Sequence, residues 1–404
     1  MQNYYLSECP EDPIGSIDIA CFSGNSIFGS ENDDCILALT SWDKSVRIYN
    51  PQINSKHINE ENCSYEPKDS KLLGVSANYF PTGKCVYNIS NEQIYLSCKF
   101  FGSDNLFLGG FNNGVDSISI NDGAGRPTNI VRHSAPVRCL NVIENHSMII
   151  SGSWDGSVIL TDIRSNDSNA TVSKIEVKGK VFCMDHTFNN EWLLVGDSFK
   201  NMNIINIKKL SSTMNTEKIE VIPNFMKYQL RDINANKHKD VFATSSIEGR
   251  VQIANIENAL KGEINNKDNP VDNYAFKCHR IKDNTKMTEV IYPVNSVCFH
   301  KQYSNMLATG GSDGGVFLWD TKAKKRLWRN SNFQIVDSET NPICICKEGI
   351  SSMKFHPSLP VLISSCSELL DNSFKEISET NSTFNKKKPW VIFHSIEGIK
   401  PVGS

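Results

Sequence analysis

The stretch Ile150-Ser-Gly-Ser-Trp-Asp-Gly-Ser-Val-Ile-Leu-Thr-Asp162 decides the fold, because it recurs. Ala38-Leu-Thr-Ser-Trp-Asp-Lys-Ser-Val-Arg-Ile-Tyr49 and Ala308-Thr-Gly-Gly-Ser-Asp-Gly-Gly-Val-Phe-Leu-Trp-Asp320 superimpose on it without gaps. In each, a β-forming run ends in Ser or Gly. A free position, an Asp and two small or polar residues follow, and then a second alternating run, which reads as strand, tight turn, strand. Looser copies occur at Leu108-Gly-Gly-Phe-Asn-Asn-Gly-Val115, Val195-Gly-Asp-Ser-Phe-Lys-Asn-Met202 and Ala243-Thr-Ser-Ser-Ile-Glu-Gly-Arg-Val251, with a degenerate one at Leu362-Ile-Ser-Ser-Cys366.

Working outward, seven turns near residues 43, 112, 155, 199, 248, 313 and 366 imply seven units. A WD-repeat period is about 40 to 45 residues. The excess falls in Asn-, Lys- and Glu-rich stretches, so insertions are expected at about 51–92, 261–290 and 367–388. Short inner-strand patterns precede several units, as in Pro136-Val-Arg-Cys-Leu140 and Pro293-Val-Asn-Ser-Val-Cys-Phe-His300. One four-stranded blade cannot bury both of its faces, whereas blades packed around a channel bury each other's. The expected fold is therefore all-β: a seven-bladed WD-repeat β-propeller with long loop insertions, spanning 1–404 as one domain. Closure requires a strand near Tyr4 to Leu6 to pair with one near Trp390 to Phe393.

Composition narrows the function. The 404 residues carry a formal charge of −3, with 39% hydrophobic and 22% charged residues, so a core can form and nucleic acid is an unexpected partner. No apolar run approaches the roughly 20 residues of a membrane-spanning helix, and Met1-Gln-Asn-Tyr-Tyr5 lacks the features of a secretory leader. The 13 cysteines are an odd number without a Cys-x-x-Cys pair. They read as free, buried thiols of a reducing compartment, cytosolic or nuclear. Cys344-Ile-Cys346 is either a metal fragment lacking its second half or, the simpler reading, two positions on one strand face.

Catalytic signals are weak. Gly310-Gly-Ser-Asp-Gly314 matches a nucleophile-elbow pattern, but that elbow needs a strand-to-helix turn and this segment aligns with hairpin turns. His133, His279, His300 and His356 fall where inter-strand hydrogen bonds brace blades. Asp43, Asp155 and Asp313 sit in turns, where a short carboxylate accepts backbone N–H groups. Lys324-Lys-Arg326 and Lys386-Lys-Lys388 read as solvated loops or targeting patches. No metal or cofactor is expected, and no enzyme.

Two departures from the repeat carry more information. At the free position stand Trp42 and Trp154, where the third copy has Ser312. Exposed indoles on one face make a contact surface; alternatively each packs on its neighbouring loop. In the fifth unit Arg250 replaces Ser45, Ser157 and Gly315, between an upstream Lys227-Tyr-Gln-Leu-Arg231 and a downstream Tyr274-Ala-Phe-Lys-Cys-His-Arg280. Arg231, Arg250 and Lys277 thus share a neighbourhood that suits a carboxylate or phosphate, unless they pair internally with Glu248 or Asp232.

The residues just quoted, with His133-Ser-Ala-Pro-Val-Arg-Cys139 and Ile291-Tyr-Pro-Val-Asn295, resemble the Bub-type mitotic checkpoint propellers (the third Bub protein) and, more distantly, the Rae/Gle messenger-RNA export propellers. Trp42-Asp43, Lys227-Tyr-Gln229 and Pro293 resemble the checkpoint branch, while the insertions at 51–92 and 367–388 depart from both. The resemblance implies a nuclear protein found at kinetochores in mitosis, acting as a monomeric spindle-checkpoint adaptor. Its partners would be the GLEBS-type segment of a Bub-family kinase or kinase-like protein, and phosphorylated Met-Glu-Leu-Thr motifs of a kinetochore scaffold. It further implies that Arg231, Trp42 and Trp154 bind the GLEBS segment, and that Arg250 and Lys277 clamp the phosphothreonine. The alternative it leaves is an export factor binding a nucleoporin's GLEBS segment.

Overall fold

The alternating runs on either side of each quoted turn form antiparallel strand pairs, and each pair gains an inner and an outer strand. In a computed structural model, the structure describes residues 3–6, 9–22, 34–56, 78–82, 85–102, 104–120, 125–165, 171–210, 220–222, 226–261, 273–283, 287–330, 333–336, 342–346, 348–367 and 389–401. Among them are seven four-stranded sheets. From the channel outward, blade 1 comprises Ile14–Phe22, Asp34–Ser41, Ser45–Tyr49 and Cys85–Ser90. Blade 2 comprises Tyr95–Phe101, Asn105–Gly110, Gly114–Ser119 and Thr128–Arg132, and blade 3 Val137–Ile143, Met148–Ser153, Ser157–Asp162 and Thr171–Glu176. Blade 5 comprises Leu230–Ala235, Val241–Ser246, Arg250–Asn255 and Tyr274–Lys277. Blade 6 runs from Val294–Phe299 to Lys325–Asn330. Each inner strand contacts the next and the seventh contacts the first, so the ring is closed.

Closure works as the sequence implies. Asn3–Tyr5 is the outer strand of blade 7, with Tyr4 opposite Phe393 in Trp390–Ser395. Two strands of that blade, Gly349–Phe355 and Val361–Ser367, complete it.

Seven apolar clusters fill the seven gaps between blades. The period-two rule sorts their members. On Asp34–Ser41, Ile36 and Ala38 pack against blade 2, while Leu37 and Leu39 pack against blade 7. A strand buried on both sides must be apolar at consecutive positions. The glycines of the repeat serve the same packing: a Cβ at Gly152 would stand 2.7 Å from Val181 Cγ1, and one at Gly310 2.6 Å from Ile350 Cγ2.

Four expectations need correction. The segment 51–92 is not all insertion, since Cys85–Ser90 is the outer strand of blade 1; the added part includes a hairpin of Gln52–Lys56 with Asn78–Thr82. Likewise 261–290 contains Tyr274–Lys277, the outer strand of blade 5, followed by a hairpin of Arg280–Asp283 with Thr288–Ile291. Segment 368–388 and Lys386–Lys388 lie outside the described residues. A further hairpin, Phe333–Val336 with Pro342–Cys346, joins blades 6 and 7; outer strands and insertions share a polar composition, which hid these boundaries.

Eight cysteines among the described residues stand outside any disulfide, but Cys21 and Cys35 form one. Antiparallel register sets them opposite one another in blade 1, a proximity that spacing along the chain cannot disclose. His300 and His356 do not brace strands as His133 and His279 do. They follow inner strands, and their Nδ1 atoms accept turn N–H groups. Among the described residues, no helix is long and apolar enough to cross a membrane.

Candidate functional site

The turns between second and third strands crowd one face of the ring. In blades 1 to 6 each has three residues, the last left-handed: Lys44, Asn113, Gly156, Lys200, Gly249 and Gly314 have φ of 67, 56, 82, 69, 63 and 71°. Such a loop joins strands without splaying them. Asp43 and Asp155 accept the N–H groups of Ser45 and Ser157 at 2.8 and 2.7 Å. Burial works to raise the Asp155 carboxyl, but hydrogen bonds from Ser157 and Ser134 outweigh it and hold it below the usual range.

The free position opening each turn is fixed by the backbone. Trp42, Phe111, Trp154, Ser198, Ile247 and Ser312 donate their N–H groups to the carbonyls of Pro13, Ile94, Pro136, Lys180, Gln229 and Pro293, at 2.9 to 3.1 Å. These six residues therefore ring the channel mouth on one face. Blades 1 to 3 supply aromatics that touch in series. Phe111 stands edge-on between the indoles, its centroid 6.0 Å from Trp42 and 5.7 Å from Trp154. Trp42 remains 44% exposed. Trp154 is half-buried, and its Nε1 is buried with no hydrogen-bond partner among the described residues. Each indole thus packs on Phe111 of the neighbouring blade, and the three rings form an apolar ledge. Phe111 escaped notice because its repeat is divergent, although it occupies the same aligned position.

On blade 5 the turn is rebuilt with longer residues. Glu248 takes the place of Asp and Arg250 that of Ser, and their Nε–Oε2 distance is 3.5 Å. This is an ion pair, yet the buried Arg250 Nε makes no hydrogen bond among the described residues. Directly across the next strand pair lies Lys277. Its side chain is exposed and makes no ion pair or hydrogen bond among the described residues. Like charges opposite each other in a sheet repel, so the two cations mark a place where an anion would be welcome.

The rest of the Ile-Glu-Gly-Arg and Phe-Lys-Cys-His-Arg elements holds this pair in place. Gly249 accepts the Cys278 N–H at 3.0 Å, and a Cβ on it would meet the Cys278 carbonyl at 2.8 Å. Arg280, whose role the sequence did not reveal, donates to the Glu248 carbonyl at 2.7 Å and binds Glu289 at 2.9 Å. His279 turns into blade 6, where Asp313 and Thr309 hold it at 2.7 and 3.0 Å and Trp319 donates to the same threonine.

Arg231 does not join that pair. It occupies a bulge on the innermost strand, and its Nε and Nη2 donate to Asn295 Oδ1 of blade 6 at 3.1 and 2.8 Å. With strands about 4.8 Å apart, its backbone lies about 10 Å from that of Arg250. Three cations are therefore split: two neighbours at the outer edge, and one at the rim of the channel. Asp232 is turned away between blades, accepting the Val297 N–H.

Comparison with known proteins agrees with this construction. The model of the WD domain, G-beta repeat, matches residues 125–162 and 289–320. The mitotic checkpoint protein bub-3 of Caenorhabditis elegans is 35% identical over 76% of this chain and 77% of its own length. The mitotic checkpoint protein BUB3.1 of Arabidopsis thaliana is 29% identical over 81% and 80%. The mRNA export factor GLE2 of Chaetomium thermophilum is 28% identical over 80% and 75%.

Proposed function

The chain belongs to the Bub3 family of mitotic checkpoint propellers, and from that premise we propose that it is a non-catalytic kinetochore adaptor whose decorated face holds two peptides. One is the GLEBS-type segment of a Bub-family kinase or kinase-like protein. It lies on the aromatic ledge of Trp42, Phe111 and Trp154, with Arg231 at the channel rim meeting its glutamates. The other is a phosphorylated Met-Glu-Leu-Thr motif of a kinetochore scaffold, gripped by Arg250 and Lys277. A phosphate carries about −1.5 to −2 charges and gains one to three charge-assisted bonds from such a pair, so phosphorylation switches the scaffold contact on.

The observation that carries this reading is the juxtaposition of Arg250 and Lys277 across one strand pair. Titration with Met-Glu-Leu-pThr and unphosphorylated peptides tests it: the phosphopeptide is expected to bind, and the unphosphorylated one much more weakly. Equal affinities would overturn it. The similarity to export factors leaves a rival that binds a nucleoporin's GLEBS segment and needs no phosphate. Accumulation of the tagged protein at the nuclear rim throughout mitosis, instead of at kinetochores, would favour that rival.

A further inference from the structure

At the opposite mouth of the channel, Cys21 and Cys35 face each other on the first two strands of blade 1 and are joined as a disulfide. His356, in the turn after the inner strand of blade 7, brings its Nε2 to 3.6 Å from Cys21 Sγ. Its other nitrogen settles the tautomer. Nδ1 accepts the N–H groups of Leu359 and Ser358 at 2.9 and 3.2 Å, so its lone pair is used and the neutral ring carries its proton on Nε2, facing the sulfur. Burial, followed by the charge of Lys301, pushes this imidazole down to about 4, which keeps it neutral. The ligand atoms of Cys21, Cys35 and His356 do lie within 4.8 Å of one another. A nitrogen that presents a proton is nonetheless a donor to a thiolate, not a metal ligand.

Access and charge distinguish Cys21 from the buried cysteines, although Cys9 and Cys85 are half-buried as well. Cys21 is half-buried and Cys35 buried. Cys21 also lines a cavity of about 640 Å³ whose charged lining is Lys99, Lys237, Lys301 and Lys354 with Asp18, Glu144 and Asp185. Lysines outnumber carboxylates there, and such an excess, with a hydrogen-bond donor beside a partly accessible sulfur, favours the reactive thiolate. By contrast, Cys98, Cys139 and Cys298 are fully buried, and burial pushes their thiols up to about 12.

We propose that Cys21 is a hydroperoxide-reactive thiolate and Cys35 its resolving partner, a redox site on the face opposite the peptide-binding ledge. The Cys21 thiolate attacks one peroxide oxygen: the S–O bond forms, the O–O bond breaks, and the departing hydroxide or alkoxide takes a proton from solvent. Sulfur is oxidised by two electrons to the sulfenic acid and the peroxide is reduced to water or alcohol. The Cys35 thiolate then attacks Cys21 Sγ and expels hydroxide, which is protonated to water, leaving the disulfide. Two equivalents of a small cellular thiol reverse it through a mixed disulfide, and are themselves oxidised.

The full-length protein, reduced and freed of reductant, is treated with hydrogen peroxide, quenched with iodoacetamide and read peptide by peptide in a mass spectrometer. Cys21 and Cys35 are expected to lose alkylation together, at least about tenfold faster than Cys98 or Cys139, as the difference in thiolate content requires. Cys35→Ser accumulates a dimedone-reactive sulfenic acid on Cys21, and Cys21→Ser abolishes fast oxidation at Cys35. His356→Asn slows alkylation of Cys21 at neutral pH about tenfold, as a tenfold loss of thiolate does. Unchanged melting of each variant shows that it remains folded, and the wild-type kinetics need no variant at all. Oxidation of Cys21 no faster than that of the buried thiols overturns the proposal. So does stoichiometric zinc retained by the reduced wild type and lost in Cys21→Ser.

Discussion

Replacing Lys277 or Arg250 by alanine separates a binding role from a structural one, because the two roles predict opposite signs in two assays. A hydrogen bond to a charged group is worth about 1.5–3 kcal/mol, so each replacement is expected to weaken Met-Glu-Leu-pThr binding by about 10- to 150-fold. The structure refines this. Arg250 already contacts Glu248 at 3.5 Å with its side chain 39% exposed, an arrangement worth at most about 1 kcal/mol. That contact is given up when a phosphate binds, so Arg250→Ala falls toward the lower end of the range. Lys277 gives up no such contact, so Lys277→Ala falls toward the upper end.

In the free protein the two cations face each other across a strand pair and repel by a few tenths of a kcal/mol. Melting is thus unchanged or slightly raised in Lys277→Ala, whereas Arg250→Ala, which also gives up the Glu248 pair, loses at most about 1 kcal/mol. If one phosphate bridges both groups, calorimetric titration of the double variant gives a non-additive loss, with at least about 0.5 kcal/mol of coupling. Two variants that bind the phosphopeptide like the wild type would refute the reasoning. A Lys277→Ala variant that melts early, or an Arg250→Ala variant destabilised by well over about 1 kcal/mol, would show instead that these residues serve the fold.

Phe111→Ala removes two edge-to-face contacts, each worth about 0.5–1.5 kcal/mol. It is expected to weaken a GLEBS-type peptide by about tenfold and to alter the tryptophan emission while the fold persists; an unchanged titration would remove Phe111 from the ledge. Leu6→Ala, at a residue 1% exposed at the closing seam, should cost about 2–4 kcal/mol, read as a lower denaturant midpoint. Acid should unfold the protein early. Burial pushes His300 and His356 down to about 4, below the usual value of about 6.5. Their contribution is therefore complete above about pH 6.5 and is lost as pH falls toward 4, on the order of 2 kcal/mol each. A flat stability profile between pH 7 and 4.5 would contradict this.

The repeat made the propeller legible, because an Asp turn between alternating runs is a local device. Asp43, Asp155 and Asp313 bond within two residues of themselves, and local bonds leave local patterns. Phe111 and Arg280 were less visible. Phe111 acts only when blades 1 and 3 bring their indoles to it, and Arg280 acts by reaching back to the Glu248 carbonyl, 32 residues away. Insertion boundaries were blurred because an outer strand such as Cys85–Ser90, half-exposed on alternate residues, has nearly the composition of a loop.

What the sequence alone determined is whatever depends on period and neighbouring residues: seven units, their turns, the strand that closes the ring, and the basic residues peculiar to the fifth. What the tertiary structure decided is which of these meet. Ring closure and strand register set Lys277 against Arg250, held Arg231 apart on Asn295, and joined Cys21 to Cys35 beside a histidine more than 300 residues away. Distance along a chain does not encode distance across a sheet; hydrogen-bond register does, and register exists only once the blades have packed.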